Sequence, residues 1–398
     1  MKKIYENIII GNGLTGLTIA KLLSLRSKDY LIIDKNNTVG GKVSTKTFSD
    51  YKLDEGFQVV LEDYPNLKIF PEINKSSFRK FKSGFVTKKK NNLYQILNPF
   101  KSFKGLLPGN TFPGFTLKDK FLLLKLVLLS NRYENANVPV KKFLKNFGFS
   151  NTFINEFFVS FFQGVFLSKN LDVPLKYFLF IFKLFSKSSV SIPVGGINMI
   201  PQSILLQLDS SKYKLNKEVA CIESNSLTTK DGECFYFNKL YCTDPKIEGL
   251  IQRELNRNLF ADITYNGTQC FYFLASITDV DDGFIYLSPE SKNITNVSLK
   301  KLSPDKYIVS VSSLSMEISK NAIEKEILSY FTNIKNISFL STFKINNALP
   351  SNSKFFDFKG KSFCQYTKNI YFAGDFLSSP CLNGAIQSAI NLVESLDS

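Results

Sequence analysis

The chain of 398 residues carries 50 Lys and Arg against 34 Asp and Glu, a formal net charge of +16, and 44% of it is apolar. That length admits two domains with ample core, and the apolar fraction excludes a disordered chain. Histidine is absent altogether, which removes Ser-His and Cys-His nucleophiles, most zinc sites and any imidazole base, so the chemistry must rest on something other than a side-chain triad.

A basic surface suits nucleic acid or anionic lipid. Joint enrichment in Lys, Asn, Ile and Phe explains the charge without either, and no compact basic motif stands out beyond Lys88-Lys89-Lys90. Nucleic acid is therefore not expected as a partner, and the triplet before Asn91-Asn92 reads as a loop tip. Six cysteines, at 221, 234, 242, 270, 364 and 381, form no CxxC pair, so a reduced set is expected and no metal site. Lys2-Lys3 before an apolar stretch mimics a signal peptide, but Glu6 and the glycines at 11–16 interrupt it. No apolar run nears the roughly 20 residues that cross a bilayer. A cytoplasmic protein is expected, with peripheral membrane contact as an option and its oligomeric state open.

In chain order, Ile4–Ile10 reads as a buried strand, and Gly11-Asn12-Gly13-Leu14-Thr15-Gly16 follows at once. Residues 17–25 carry helical periodicity, and a second apolar run, 30–33, ends in Asp34. Strand, glycine turn, helix, strand and acid are the context of a dinucleotide fingerprint. Gly11 allows the tight turn, Gly13 lets a pyrophosphate approach the backbone, and Gly16 lets helix and strand pack closely. The helix start offers free N–H groups and a positive dipole end. Asp34 is placed to accept hydrogen bonds from an adenosine ribose. Taken alone, GxGxxG is also compatible with a plain glycine turn in another α/β unit.

Val39-Gly40-Gly41-Lys42-Val43 comes next, a second close backbone approach with a cation beside it. Together these residues resemble the flavin-containing amine oxidase and phytoene desaturase superfamily, whose members carry Gly-Gly-Arg here. Lys42 keeps the charge and loses the planar fork. Residues 46–53 read as a strand or hairpin leading into Leu53-Asp54-Glu55-Gly56-Phe57-Gln58. In the resembled family a hydrophobic-Asp-x-Gly segment runs beside the flavin ring; on its own the segment reads as a turn between strands. The run from Gly56-Phe57-Gln58 to Tyr64-Pro65, which is read as starting a helix, resembles the desaturase-like branch.

From about 66 to 190 the pattern changes. Residues 82–97 read as short strands, and 117–130 and 138–146 as helices. A phenylalanine-dense region follows: Phe153, Phe157, Phe158, Phe161, Phe162 and Phe166, then Phe178, Phe180, Phe182 and Phe185. Helical spacing favours a domain core, and the alternatives are the wall of a tunnel for a large apolar substrate or a patch that docks on a membrane. Pro193-Val194-Gly195-Gly196 introduces a helix over 199–208. Strands are expected at 213–222, 232–237 and 240–243, then at 261–275, 283–288 and 307–312, with a helix over 316–331.

The C-terminal motif is a strand over 369–373, then Gly374-Asp375, and a helix opened by Gly384-Ala385-Ile386 and running to Leu396. In the resembled family the aspartate binds the ribityl and diphosphate region, and the last helix aims its N-terminus at the flavin. A positive dipole end there favours negative charge near flavin N1.

The resemblance implies an α/β fold: a Rossmann-like FAD-binding domain in three segments, 1–65, 190–245 and 341–398. A second α+β substrate domain comprises 66–189 and 246–340. It implies FAD contacts at Gly11, Gly13, Leu14, Thr15 and Gly16, at Asp34 and Lys35, and at Gly40, Gly41 and Lys42. Further contacts follow at Gly56, Phe57 and Gln58, at the Val219 backbone, at Gly374 and Asp375, and at Gly384, Ala385 and Ile386. The activity implied is an FAD-dependent oxidoreductase that takes a hydride from a carbon of an apolar small molecule, an isoprenoid or carotenoid; no catalytic side chain is named. A flavin amine oxidase is the alternative, although no aromatic pair framing an amine can be placed. A non-catalytic prenyl-lipid or protein binder of the GDP-dissociation-inhibitor type is the alternative of another class, against which the full set of glycines, Asp34 and Asp375 argues.

Overall fold

The computed structural model describes residues 3–90, 92–102, 112–133, 136, 138–351 and 361–397; Lys2 and Asn91, named above, lie outside them. The first strand, β1 (Ile4–Ile10), helix α1 (Leu14–Leu25) and strand β2 (Leu31–Ile33) form as the sequence predicts. β1 is the middle of an eight-stranded sheet, parallel to β2 on one side and to Cys234–Cys242 on the other. Tyr213–Lys214 extends the parallel set beyond β2, and Ile370–Ala373 extends it beyond Leu240–Cys242. Ile8 and Ile10 pack into one core cluster and Ile9 into another. Both sheet faces are therefore covered, which is why these strands are apolar without alternation.

A seven-stranded sheet holds Gly84–Lys89, Asn92–Leu97, Tyr265–Ile277, Ile285–Leu287, Asn296–Ser303, Lys306–Ser313 and Ile334–Pro350. Two of these were not expected, Asn296–Ser303 and the seventeen-residue Ile334–Pro350. The latter alternates half-buried with exposed residues and shows little apolar run for a sequence reading to catch. It also corrects a boundary. Residues 341–350 pair with Tyr265–Tyr272, so the return to the nucleotide sheet lies beyond 350 rather than at 341.

Other elements shift modestly. The strands expected at 232–237 and 240–243 are one strand, Cys234–Cys242. The helix expected over 316–331 is Lys320–Tyr330, N-capped by Ser319. Tyr64-Pro65 starts only a short 3-10 helix, Pro65–Ile69. Lys88 and Lys89 lie in the strand Gly84–Lys89, with Lys90 turning at φ 54°.

Helices Leu117–Leu129, Val140–Phe147, Ser160–Phe166 and Leu175–Lys187 pack the phenylalanines. A π-helical segment, Ile154–Val159, interrupts the helical run just before Ser160 and shifts the register of the rings after it. Phe158, Phe162, Phe166 and Phe178 are at most 2% exposed. Each such burial contributes about 1.5–3 kcal/mol.

Candidate active site

Four parallel strands stop at one edge, and the residue after each is a polar or glycine position. Gly11 follows β1, Asp34 follows β2, Thr243 follows Cys234–Cys242, and Gly374 follows Ile370–Ala373. Ligands of open parallel sheets bind outside the carboxyl ends of the strands. The sequence motifs from the two ends of the chain therefore meet along one edge.

The glycines are required sterically. Gly11 sits at φ +111°, and a Cβ there would lie 2.1 Å from Thr243 Oγ1. A Cβ on Gly16 would lie 1.9 Å from the Gly11 carbonyl, so helix and turn touch backbone to backbone. Gly13 is different. It has an ordinary φ of −72°, and its Cβ would meet nothing nearer than 3.8 Å, the Gly40 carbonyl. No protein atom needs Gly13 to be glycine. That is the signature of a cradle left clear for something the chain does not supply. Gly13 forms a parallel bridge with Gly40, Gly40 N donates to Asn12 O at 3.1 Å, and Gly41 stands at φ +59° against Gly13.

The start of α1 has neither a side-chain cap nor an acidic residue in its first turn. Leu17 N is the first amide to find the helical carbonyl, that of Gly13. The N–H groups of Leu14, Thr15 and Gly16 are thus the unpaired donors of a helix start. The Leu14 side chain is buried in the core, and Thr15 Oγ1 donates to Ala385 O at 3.2 Å, joining α1 to the last helix, Leu382–Glu394.

Asp34 accepts from Asn12 N at 2.8 Å and Asn36 N at 2.7 Å, which fixes both loops and leaves lone pairs for ribose hydroxyls. Lys217 N and Asn216 N donate to the carbonyls of Asp34 and Asn36, bringing Val219, at the start of Val219–Ile222, near the same end of the cleft. Lys35 is exposed, with Glu218 as its charged neighbour.

At the other end, Lys42 Nζ and Asp375 Oδ2 pair at 2.8 Å across 333 residues of sequence. Both had been read as separate contacts; the structure joins them in one ion pair over the Tyr265 ring, 5.1 Å from Lys42. Burial, with Asp375 and Asp244 near, pushes the Tyr265 hydroxyl well up. Gly374 N donates to Ser388 Oγ at 2.8 Å, and a Cβ on Gly374 would strike the Phe376 ring. Gln58 Nε2 donates to Lys42 O at 2.8 Å and Glu55 O at 3.2 Å, which ties the segment containing Gly56 and Phe57 to the Gly-Gly loop.

The last helix is locked at its start. Asn66 N donates to Asn383 Oδ1 at 3.0 Å, and Tyr177 OH donates to Pro380 O at 2.9 Å. The Cys381 thiol, beside Gly384 N, Asn383 N and Tyr64 OH, is pushed up to about 12 by burial. A Cβ on Gly384 would lie 1.8 Å from Ser379 O. Ile386 is fully buried in the core, in the second turn of that helix. Ala385 is half-buried beside it.

Sequence reading missed Thr243, Asn66, Asn383 and Tyr177. Thr243 alone had a usable signal, a threonine closing a buried parallel strand; its Oγ1 donates to Ile10 O at 2.8 Å. It missed a clamp as well. Asp54 Oδ1 accepts from Thr45 Oγ1 at 2.6 Å and Ile197 N at 2.9 Å, and burial raises its pKa above the ordinary value. Asp54 holds the Gly195-Gly196 loop instead of facing the cleft edge.

The sequence matches the flavin containing amine oxidoreductase family over residues 14–243. The chain belongs to that family, and it is an FAD-dependent oxidoreductase. No curated protein matches it in sequence. Among solved structures it is similar to an oxidoreductase from Methanosarcina mazei at 16% identity and TM-score 0.74, covering 98% of this chain and 100% of the other. A CLA-producing fatty acid isomerase from P. acnes is 15% identical, with TM-score 0.74 and all of both chains covered. A putrescine oxidase bound to putrescine is 12% identical with TM-score 0.72, again over all of both chains. At these identities the likeness is one of fold.

Proposed function

We propose that FAD lies along the strand edge from Asp34 to the last helix, and that the enzyme takes a hydride from a carbon of an apolar small molecule. In this reading the N–H groups of Leu14–Gly16 and the Gly40-Gly41 backbone hold the diphosphate. Asp34 holds the adenosine ribose, the Val219 backbone the adenine, and Asp375, paired with Lys42, the ribityl chain. When bound, the flavin supplies the two-electron acceptor. Residues 1–65, 190–245 and those beyond 350 are assigned to the cofactor unit, and 66–189 with 246–350 to the substrate unit.

The observation that carries the substrate class is a cavity beside the cofactor segment. Phe81, Phe85, Phe157, Phe161 and Phe185 line it, and Phe57 packs edge-on against Phe81 at 6.3 Å. Such a wall binds apolar area and excludes water, and it orients the substrate by shape more than by hydrogen bonds. One face of Leu117–Leu129 lines the same cavity through Lys120 and Leu123. Its other face exposes Leu117, Phe121 and Leu128 beside the exposed Lys118 and Lys125, which supports entry from an anionic lipid surface. Among the described residues no helix is long and apolar enough to cross a membrane.

An absorbance spectrum of the purified protein tests the cofactor reading. A flavin spectrum is expected, with the flavin released into the supernatant on acid precipitation. NAD and NADP are expected not to displace it. A colourless protein that FAD cannot reconstitute would return the chain to the non-catalytic binder class.

A further inference from the structure

A second cleft, lined by Phe57, adjoins the phenylalanine cavity at the Phe57–Phe81 contact, and its chemistry is opposite. Four cations, Lys52, Arg79, Lys300 and Lys301, line it against two carboxylates, Asp54 and Asp282. The two carboxylates offset only part of the charge, Asp282 beside Arg79 and Asp54 near Lys300. Asp54 is committed to Thr45 and the Ile197 amide, and burial favours its neutral form. Asp282 stands 3.5 Å from Arg79 Nη1.

The cations keep donors in reserve. Among the described residues both hydrogen bonds of Arg79 run through Nη1, to the carbonyls of Asp282 and Leu299 at 2.9 Å each. Its Nε and Nη2 remain available, in a fork that suits a carboxylate or phosphate. Among the described residues the hydrogen bond of Lys300 Nζ is a long one, to Val194 O at 3.5 Å. Desolvation lowers the Lys300 pKa; Asp54 opposes it, and Arg79 and Lys52 add to it. Buried Ser298 adds a hydroxyl to the lining, as does Ser310. Gathering like charges into a cleft costs stability in the empty protein, and an anion there relieves it.

The two cavities share a wall. Arg79 lays its guanidinium over the Phe81 ring at 4.8 Å, so the cation of one cleft rests on the aromatic of the other. We infer that the Arg79–Lys300 cleft binds the anionic head of an amphipathic acid whose apolar chain lies in the phenylalanine cavity. The substrate is then a carboxylate- or phosphate-bearing apolar molecule, and not an amine, which these cations would repel. Its assignment as the substrate rests on the flavoenzyme reading; the binding itself does not.

The test is calorimetry on the flavin-bearing protein with four probes of one chain length, decanoate, decyl phosphate, decylamine and decanol, and with inorganic phosphate. Decanoate or decyl phosphate is expected to bind about tenfold or more tighter than decanol, and decylamine more weakly than decanol. The tighter of the two acids names the head group. Lys300→Met keeps the apolar stem and is expected to remove about tenfold from the acid while leaving decanol unchanged. Arg79→Gln is expected to do the same; because Arg79 also ties two carbonyls, its melting temperature is measured alongside, and Lys300→Met decides if it fails to fold. Equal affinity for acid, alcohol and amine overturns the inference. So does inorganic phosphate binding as tightly as decyl phosphate, since the two clefts then do not act on one molecule. A protein without flavin overturns the cofactor reading alone, because the acid preference is read by heat and not by turnover.

Discussion

The proposed cofactor edge is made largely of backbone, whereas the proposed substrate cavity is made almost entirely of side chains. At the edge, Gly11, Gly13, Gly16, Gly40 and Gly41 bring bare backbone together, and an added Cβ on Gly16 would overlap a carbonyl at 1.9 Å. In the cavity, the rings of Phe85, Phe157 and Phe161 stand 5.5–6.4 Å apart on neighbouring elements. Where backbone meets backbone, as at Gly11 and Gly16, the site tolerates no added atom, which fixes its geometry sharply. A ring-lined site tolerates exchange, and its shape belongs to no one residue. Specificity for the cofactor therefore lies in what is missing, and specificity for the substrate in what fills the space.

The comparison breaks most visibly at Gly16. Gly16→Val places three heavy atoms where the Gly11 carbonyl stands, and the variant is expected to lose both its flavin and its cooperative melting transition, with a cost above about 4 kcal/mol. A variant that melts like the parent and stays yellow would mean that the turn and helix do not pack as described. Next in size is a pair in the phenylalanine region. Phe158→Ala, at a fully buried ring, is expected to cost about 3–5 kcal/mol in denaturant unfolding. Phe161→Ala, half-buried on the cavity wall, is expected to cost less stability and to change KM more. Equal losses at the two positions would erase the distinction between core and wall.

Gly13 and Asp375 sharpen the other side. Gly13→Ala meets no protein atom nearer than 3.8 Å, so its melting temperature without cofactor is expected to hold while FAD affinity falls by about one to two decades. Asp375→Ala removes a charge-assisted acceptor worth about 1.5–3 kcal/mol, which is again one to two decades in FAD dissociation. Unchanged affinity with a lowered melting temperature would leave Asp375 as only the partner of Lys42 in a structural ion pair.

The smallest effect is the pH dependence of the Asp54 clamp. Its folded pKa is raised by burial, so between the unfolded value of about 3.9 and the folded one the native state holds the extra proton. Stability then falls as pH rises through that window. Asp54→Asn keeps an oxygen for Thr45 and Ile197 and is expected to flatten this part of the melting-temperature profile. A profile identical to the parent's would assign the slope to other carboxylates.

Much of the cofactor edge was legible before folding because its determinants are local. Gly11 needs a positive φ, Gly16 needs the absence of a Cβ, and Asp34 lies one residue past a buried strand; each constraint acts within a few residues. The order of the strand-ending motifs along the chain then followed from the α/β alternation. Ile334–Pro350 escaped because its burial alternates only weakly, and the boundary at 341 failed with it. Asn66 and the Lys42–Asp375 pair escaped because nothing within their own segments marks them. Composition and spacing determined the strand–glycine turn–helix–strand unit and its parallel sheet, and enough phenylalanine for a large apolar core. Tertiary structure alone decided which rings close the core and which line a cavity, and that Arg79 lies over Phe81 beside Lys300. The periodicity that buries a ring is the same for both fates, and only the packing of distant strands and helices leaves one face open.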